Sequence, residues 1–217
     1  EFRTPITLIM GPIQRALKLS SNSEVKEQLN IVEKNSRSLL SLVNQLLDFR
    51  KVESGKVVIT KKRNNLRVFL NDVVMPFEAF AKERQIKVRC LIRLSATYYQ
   101  YDEEWMHKVI VNLLSNSIKF TPNGGKVTLY VCSFLDDKRN KNVYLSVSDN
   151  GVGILQEDLD RIFDRFYQSR KHVKFPMSGQ SGTGIGLYLC KRIINEHGGR
   201  IYARNNQGEG SSIRILM

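Results

Sequence analysis

In the stretch NLLSNSIKF, Asn112, Asn116 and Lys119 stand at i, i+4 and i+7. On a helix they share one face, while Leu113, Leu114 and Ile118 point elsewhere. An amide oxygen is a hard ligand for a small divalent cation, and a lysine neutralises phosphate oxygens. The stripe therefore suits a metal-phosphate ligand, although an ordinary polar helix face has the same composition. In SDNGVGI, Asp149 closes an apolar run two residues before Gly151 and four before Gly153. An ionised carboxylate only accepts hydrogen bonds, so its partner would be a donor such as the amino group of adenine. The glycines would let the backbone approach a flat ring. An Asp-Asn-Gly turn is also a common loop.

Two further stretches follow. IFDRFYQS places Ile162, Phe163, Phe166 and Tyr167 in one short amphipathic turn, which reads most simply as core. GQSGTGIGL presents Gly179, Gly182, Gly184 and Gly186, with Thr183 among them, just before a helical pattern. Free N–H groups and the dipole at such a helix start can cradle phosphates. The stretch is not a dinucleotide fingerprint, because no strand leads directly into it, and it lacks the G-K-[ST] of a Walker loop.

These residues need a scaffold. The first 55 residues read as two helices. Phe2, Ile6, Ile9 and Ile13 share one face of the first. Ser20 to Ser23 break the pattern, and Ser23 is expected to cap the second helix. Val25, Leu29, Val32, Leu39, Val43 and Leu46 form a heptad seam there, with Ser36 in one slot and Leu40 and Leu47 widening it. Two helices with so wide an apolar face cannot bury it against each other alone, so two hairpins pairing into a four-helix bundle are expected. Gly55 ends the second helix. Beyond it, Val57–Ile59 reads as a strand, 66–84 as a helix, 86–92 as a strand and 102–120 as a helix. Residues 126–134 and 143–148 read as strands joined by the turn 136–142. Residues 184–197 read as a helix stopped by Gly198-Gly199, and 200–205 and 211–217 as strands. The expected class is α+β: a helical hairpin over 1–55, then an α/β sandwich over 56–217 with a mixed sheet and helices on one face.

The order and spacing of the four motifs resemble the N, G1, F and G2 boxes of the sensor histidine kinases, whose ATP-binding domain has the Bergerat fold. EFRTP, at the start, resembles the second half of that family's H box, H-E-[FL]-R-[TN]-P, and LLDFRKVESGK resembles the end of its second dimerisation helix. The resemblance implies a kinase core that uses ATP and Mg²⁺. It would transfer the γ-phosphoryl group to a histidine just before Glu1, then to an aspartate of a response-regulator receiver domain. Asn116 would coordinate Mg²⁺, with Asn112 and Lys119 at the phosphates. Asp149 would hydrogen-bond adenine beside Gly151 and Gly153, with Ser211 or Ser212 assisting through water. Phe163, Phe166 and Tyr167 would anchor the base of the ATP lid, and Gly182, Thr183, Gly184 and Gly186 would close over the triphosphate. Glu1 would be the acid/base neighbour of the accepting histidine, Thr4 would orient water for phosphatase action, and Asn112 would act in catalysis. Many members have an arginine where Gln168 stands, so Arg165, Arg170 or Lys171 would supply that charge. His107, His172 and His197 are expected to be structural or solvated.

The resemblance also implies a homodimer through residues 1–55, an upstream sensor domain, a receiver that is separate or fused downstream, and a place on the cytoplasmic side of a membrane that anchors the full-length protein. Composition is consistent with this. The chain has 217 residues, 41% of them hydrophobic, and a net charge of +13. That charge attracts polyanions. A basic nucleic-acid-binding module is therefore one alternative, as is another Bergerat ATPase, but no recognition motif supports the former and no nucleic-acid partner is expected. Cys90, Cys132 and Cys190 are widely spaced and show no metal pattern.

Overall fold

A computed structural model describes residues 3–55, 57–135, 141–169 and 182–217. The chain divides into two compact units between residues 56 and 57.

The first unit is an antiparallel hairpin of α1 (Arg3–Leu19) and α2 (Ser23–Glu53). Its cap is Asn22, one residue earlier than the pattern suggests. Asn22 is extended, and its side-chain oxygen accepts from the N–H groups of Glu24 and Val25 at 2.9 and 3.3 Å. An amide oxygen reaches two of the orphan donors of the first turn, and Ser23 becomes the first helical residue. Gly55 takes a left-handed φ of 64° just past the end of α2, where a side chain would be strained. Gln14 of α1 donates to Glu33 of α2 at 3.0 Å. Ile6 and Ile13 are buried, but Ile9 is half exposed, so the face expected for α1 is narrower than its isoleucines suggest. Residues seven apart lie almost at the same angle on a helix, whereas Ile9 is rotated off that line.

The second unit holds β1 (Lys62–Asn65), α3 (Leu66–Lys82), β2 (Lys87–Arg93), β3 (Tyr98–Tyr101), α4 (Glu103–Phe120), β4 (Lys126–Leu135), β5 (Lys141–Asp149), α5 (Gly186–Glu196), β6 (Arg200–Asn205) and β7 (Ser211–Leu216). β1 and β3 make a small antiparallel ribbon, and five strands form a sheet in the order β2-β4-β5-β7-β6. β2 and β4 run parallel, with α4 in the crossover between them, and every other pairing is antiparallel. The sheet is thus mixed, as expected. The turn expected between β4 and β5 falls mostly outside the described residues. Val57–Ile59 is not a strand. The N–H of the next residue, Thr60, goes to the Asp102 carboxylate at 2.8 Å rather than to a ladder. β3, which the sequence pattern misses, is a tyrosine-rich run whose partner β1 lies more than 30 residues upstream.

Alternation decides which face is covered. Val127, Leu129 and Val131 of β4 and Val143, Leu145 and Val147 of β5 are buried on one side. α4 packs on them with its buried Met106, Ile110, Leu113, Leu114 and Ile118, flanked by α3 on β2, with Leu70 and Val74 buried, and by α5 on β6, with Ile193 and Ile194 buried. Each fully buried side chain of this kind contributes about 1.5–3 kcal/mol before entropy is set against it. Asp102 caps α4 by accepting from Trp105 N–H at 3.2 Å. Its own N–H donates to His197 Nε2, and His197 Nδ1 lies 2.8 Å from the Ile193 carbonyl. The imidazole therefore carries its proton on Nδ1. Burial lowers its pKa, so the neutral ring ties α4 to the end of α5 as a structural group. Among the described residues, no helix is long and apolar enough to cross a membrane.

Candidate functional site

Asp149 takes the next inward slot after Val143, Leu145 and Val147, at the end of β5, where the apolar side of the sheet runs out. It is buried, yet it is met by donors. Oδ1 accepts from Gly151 N–H at 3.0 Å and Ser211 N–H at 3.2 Å, and Oδ2 accepts from Ser211 Oγ at 3.2 Å. The buried Ser117 of α4 acts on the carboxyl in the same sense. Burial raises the carboxyl pKa above its ordinary value, and these hydrogen bonds act against that rise. Ser211 thus touches the carboxylate directly. Ser212 points away, its Oγ donating to the Arg204 carbonyl, so of the two hydroxyls only Ser211 belongs to the site.

Close backbone packing explains the glycines around it. A Cβ on Gly151 would lie 2.3 Å from the Phe120 carbonyl oxygen, and one on Gly210 would lie 2.0 Å from the Asp149 carbonyl oxygen. Gly153 has φ 68° and would be strained by any side chain.

The polar stripe of α4 is present. Asn116 Nδ2 donates to Asn112 Oδ1 at 3.0 Å, so the carbonyl oxygen is the group Asn116 presents to a ligand. Burial lowers the pKa of Lys119. The glycine loop lies over this stripe. A Cβ on Gly186 would meet the Asn112 amide at 2.4–2.9 Å, and one on Gly182 would lie 3.9 Å from Lys119 Nζ. Thr183 Oγ1 accepts from Ile185 N–H at 3.4 Å and so belongs to the turn that starts α5. Gly184, at φ 67°, stacks on the Phe166 backbone, and Phe166 N–H donates to the Gly184 carbonyl at 3.0 Å.

The aromatic group does not form one apolar turn. Ile162 and Phe163 are buried, but Phe166 is 56% exposed at φ 61°. The chain reverses after Asp164, and the contact with Gly184 fixes Phe166 in the left-handed region. Tyr167 and Ser169 both donate from their hydroxyls to the buried Asp158, and Arg161 lies over the Tyr167 ring. Gln168 reaches across to the glycine loop, Nε2 donating to the Gly182 carbonyl at 2.5 Å. Arg165 lies over the Phe166 ring. Glu1, Arg170, Lys171, His172 and Gly179 lie outside the described residues. Thr4 is exposed on α1.

Sequence reasoning misses Asn205, Asn206, Ser117 and Asp158. Asn205 makes a reciprocal pair with Ile154, accepting from its N–H at 2.9 Å and donating to its carbonyl at 2.6 Å. Asn206 Nδ2 donates to the Asp149 carbonyl at 2.7 Å and to Ser148 Oγ and the Ser211 carbonyl at 3.1 Å each. The adjacent pair of asparagines before a glycine turn was the available signal.

Residues 101–217 match the family model of the histidine kinase-, DNA gyrase B- and HSP90-like ATPases, and residues 1–55 match the His Kinase A phospho-acceptor domain. Histidine kinase P4 of Formosa agariphila is 32% identical over all of this chain, which spans 16% of that protein's length. Other curated relatives are also several times longer, the chain spanning between 14% and 36% of them. Among solved structures, full-length ShkA in complex with AMPPNP aligns over 99% of this chain and 43% of its own, with a TM-score of 0.79 at 23% identity. Histidine kinase ThkA in complex with the response regulator protein TrrA aligns over 99% of this chain and 58% of its own, at 0.67 and 22%. At these identities the two structures speak for the fold. A phospho-acceptor domain followed by an ATPase domain, in that order along one sequence, places this chain in the sensor histidine kinase family.

Proposed function

We propose that residues 57–217 bind ATP with Mg²⁺ and pass the γ-phosphoryl group to a histidine that precedes Glu1 in a longer chain, and from there to an aspartate of a receiver domain. One observation carries the reading. Just after Asp149, Gly151 packs on the Phe120 carbonyl at the end of α4 and Val152 N–H donates to it at 3.3 Å, while Asn112, earlier on the same helix, lies under Gly186. The proposed base acceptor on β5 thus stands beside the end of the helix whose polar stripe lies under the glycine loop.

The chemistry follows from the groups. Asp149 Oδ2 has lone-pair capacity left beside Ser211 for the adenine amino group. Asn116 and Asn112 offer amide oxygens, and the phosphates themselves supply the remaining hard donors. Among the described residues no cluster of three or more histidine, cysteine or acidic side chains could hold a metal alone, which fits an ion brought in with the triphosphate. Bound there, Mg²⁺ would neutralise charge on the transferring group. Lys119 adds a cation at the same end. The accepting imidazole nitrogen forms a bond to phosphorus as the bond from phosphorus to the bridging oxygen breaks, and ADP leaves with that electron pair. The protein's part is positioning and charge neutralisation. Glu1 would orient the histidine through its second ring nitrogen, and Thr4 would orient water for dephosphorylation of the receiver. A sensor domain upstream and anchoring of the whole protein at a membrane, with this core on the cytoplasmic side, complete the reading.

Radiolabelled ATP tests it. A chain extended upstream through the histidine gains acid-labile phosphate, and its histidine-to-glutamine variant does not. Residues 1–217 alone bind ATP–Mg²⁺ and gain none. Acid-labile label on His107, His172 or His197 of residues 1–217 would show that the acceptor lies elsewhere.

The receiver partner draws support from the ThkA–TrrA complex, and the homodimer from α2. Val25, Val32, Leu39 and Leu46, seven apart, are each 45–50% exposed, whereas Leu29, Ser36 and Val43, the other seam position, are half-buried. The hairpin covers one heptad position and leaves the other bare. Burying the exposed half of four such residues against a second copy, at about 0.7–1.5 kcal/mol each, favours a symmetric four-helix bundle. Light scattering should give a dimer at micromolar concentration, and a monomer for the Leu39→Glu, Leu46→Glu double variant. A monomeric wild-type chain would contradict the assembly.

A further inference from the structure

Asn205, the last residue of β6, and Asn206 just after it grip the 149–154 segment at both ends. Asn205 pairs with both backbone groups of Ile154, the far end. Asn206 donates to the backbone carbonyl of Asp149, the near end, and to the carbonyl of Ser211, whose N–H and Oγ both point at the Asp149 carboxylate. Its own N–H donates to the Gly210 carbonyl at 3.1 Å and so closes the turn between β6 and β7. One side-chain amide therefore ties three strand ends together: Ser148 and Asp149 of β5, the end of β6, and the start of β7.

We infer that Asn206, seconded by Asn205, is a positioning residue that sets the base selectivity of the nucleotide site. The inference rests on the reading that Asp149 meets the base. Adenine presents an amino donor where guanine presents a carbonyl acceptor. A carboxylate with one oxygen held by two N–H donors and the other by a hydroxyl has a fixed direction for its remaining lone pair. That lone pair accepts from the adenine amino group and repels the guanine oxygen. The selectivity depends on the carboxylate staying in place, because a carboxylate free to swing away no longer opposes guanine. Asn206 restrains it from behind, through the backbone carbonyl of Asp149 and through Ser211. Losing the amide leaves two carbonyl groups short of a donor, and both belong to residues that orient the carboxylate.

Calorimetric titration of residues 1–217 with ATP and with GTP, each with Mg²⁺, tests this on Asn206→Ala and Asn206→Asp. Asn206→Asp keeps the shape and sets an acceptor against three acceptor oxygens, so its effect should be at least that of alanine. The ratio of ATP to GTP affinity should fall by about tenfold, mostly through weaker ATP binding. A merely structural role would lower the melting temperature and leave that ratio unchanged in the folded protein, and this result would overturn the proposal. If the Asn206 variants fail to fold, Asn205→Ala decides by the same criterion. Asp149→Asn measured alongside separates two failures. If it leaves the ratio intact, the adenine assignment itself falls. If it collapses the ratio while the asparagine variants do not, only the positioning role falls.

Discussion

Asp149→Asn should weaken ATP binding by roughly 5- to 150-fold, the equivalent of about 1–3 kcal/mol, while leaving the protein as stable as before or more so. The two halves of this expectation have one origin. The carboxylate sits in an inward slot of β5, where burial disfavours its charge and raises its pKa. The sign of the linkage follows. A folded-state pKa above the unfolded value means that the folded protein binds the proton more tightly. Stability therefore declines as pH rises from the ordinary aspartate range through the raised value, and stays lower above it. Above the raised value the empty site carries that cost. An asparagine removes the charge and can still accept from Gly151 and Ser211 N–H through its oxygen, while its amide faces the Ser211 hydroxyl. What it loses is an acceptor for the adenine amino group, against which it can present a donor. ATP affinity in the wild-type protein should also decline as pH falls through the raised pKa, because a protonated carboxyl sets an O–H against that amino group. Calorimetry over a pH series, paired with thermal melts without nucleotide, checks all of this. Unchanged ATP affinity for Asp149→Asn would remove the nucleotide assignment, and a large drop in its melting temperature would show that the carboxylate holds the fold.

Much of this site was legible from local patterns. The spacing of Asn112, Asn116 and Lys119 needs only helical geometry, and the alternation of 143–149 needs only the period of a strand. What was not legible depends on long-range partners. Asn205 and Asn206 look like turn residues until β5 and β7 are placed beside them. Ser117 looks like one more small polar residue after Ser115 and Asn116 until Asp149 is brought near it. Phe166 reads as a core aromatic because its sequence neighbours are core. Its exposure and left-handed backbone come from Gly184, 18 positions along the chain. Val57–Ile59 fails for the reverse reason: the triplet has the composition of a strand, but an aspartate 42 residues away takes the backbone donor beside it. Asn22 displaces Ser23 as cap because its side chain reaches two N–H groups at once, a preference that composition alone does not rank.

Gly186→Ala should cut histidine phosphorylation, in a chain that includes the acceptor, by about a hundredfold with little change in melting temperature. Gly186 opens α5, and a methyl group there would lie 2.4 Å from Asn112 Nδ2 and 2.7 Å from its Oδ1. Something must move. α5 is held by the buried Leu189, Cys190, Ile193 and Ile194, and α4 by Val109, Ile110, Leu113 and Leu114, so neither backbone yields easily. The side-chain amide of Asn112 is the softer element and would rotate away. Its 3.0 Å bond to Asn116 would then break, and both amide oxygens proposed to face the phosphates would lose their orientation. Stability has an offsetting gain, since alanine is about 1 kcal/mol better than glycine inside a helix, although less so at its first residue. The result expected is therefore a catalytic defect in a well-folded protein, with adenine binding through Asp149 largely retained. Two measurements decide the matter, the initial rate of phosphohistidine formation and the thermal midpoint. A wild-type rate would mean that the Asn112 amide need not be where the fold holds it. A fall of many degrees would mean that α5 itself had shifted, and that Gly186 serves the packing of two helices rather than the orientation of one amide.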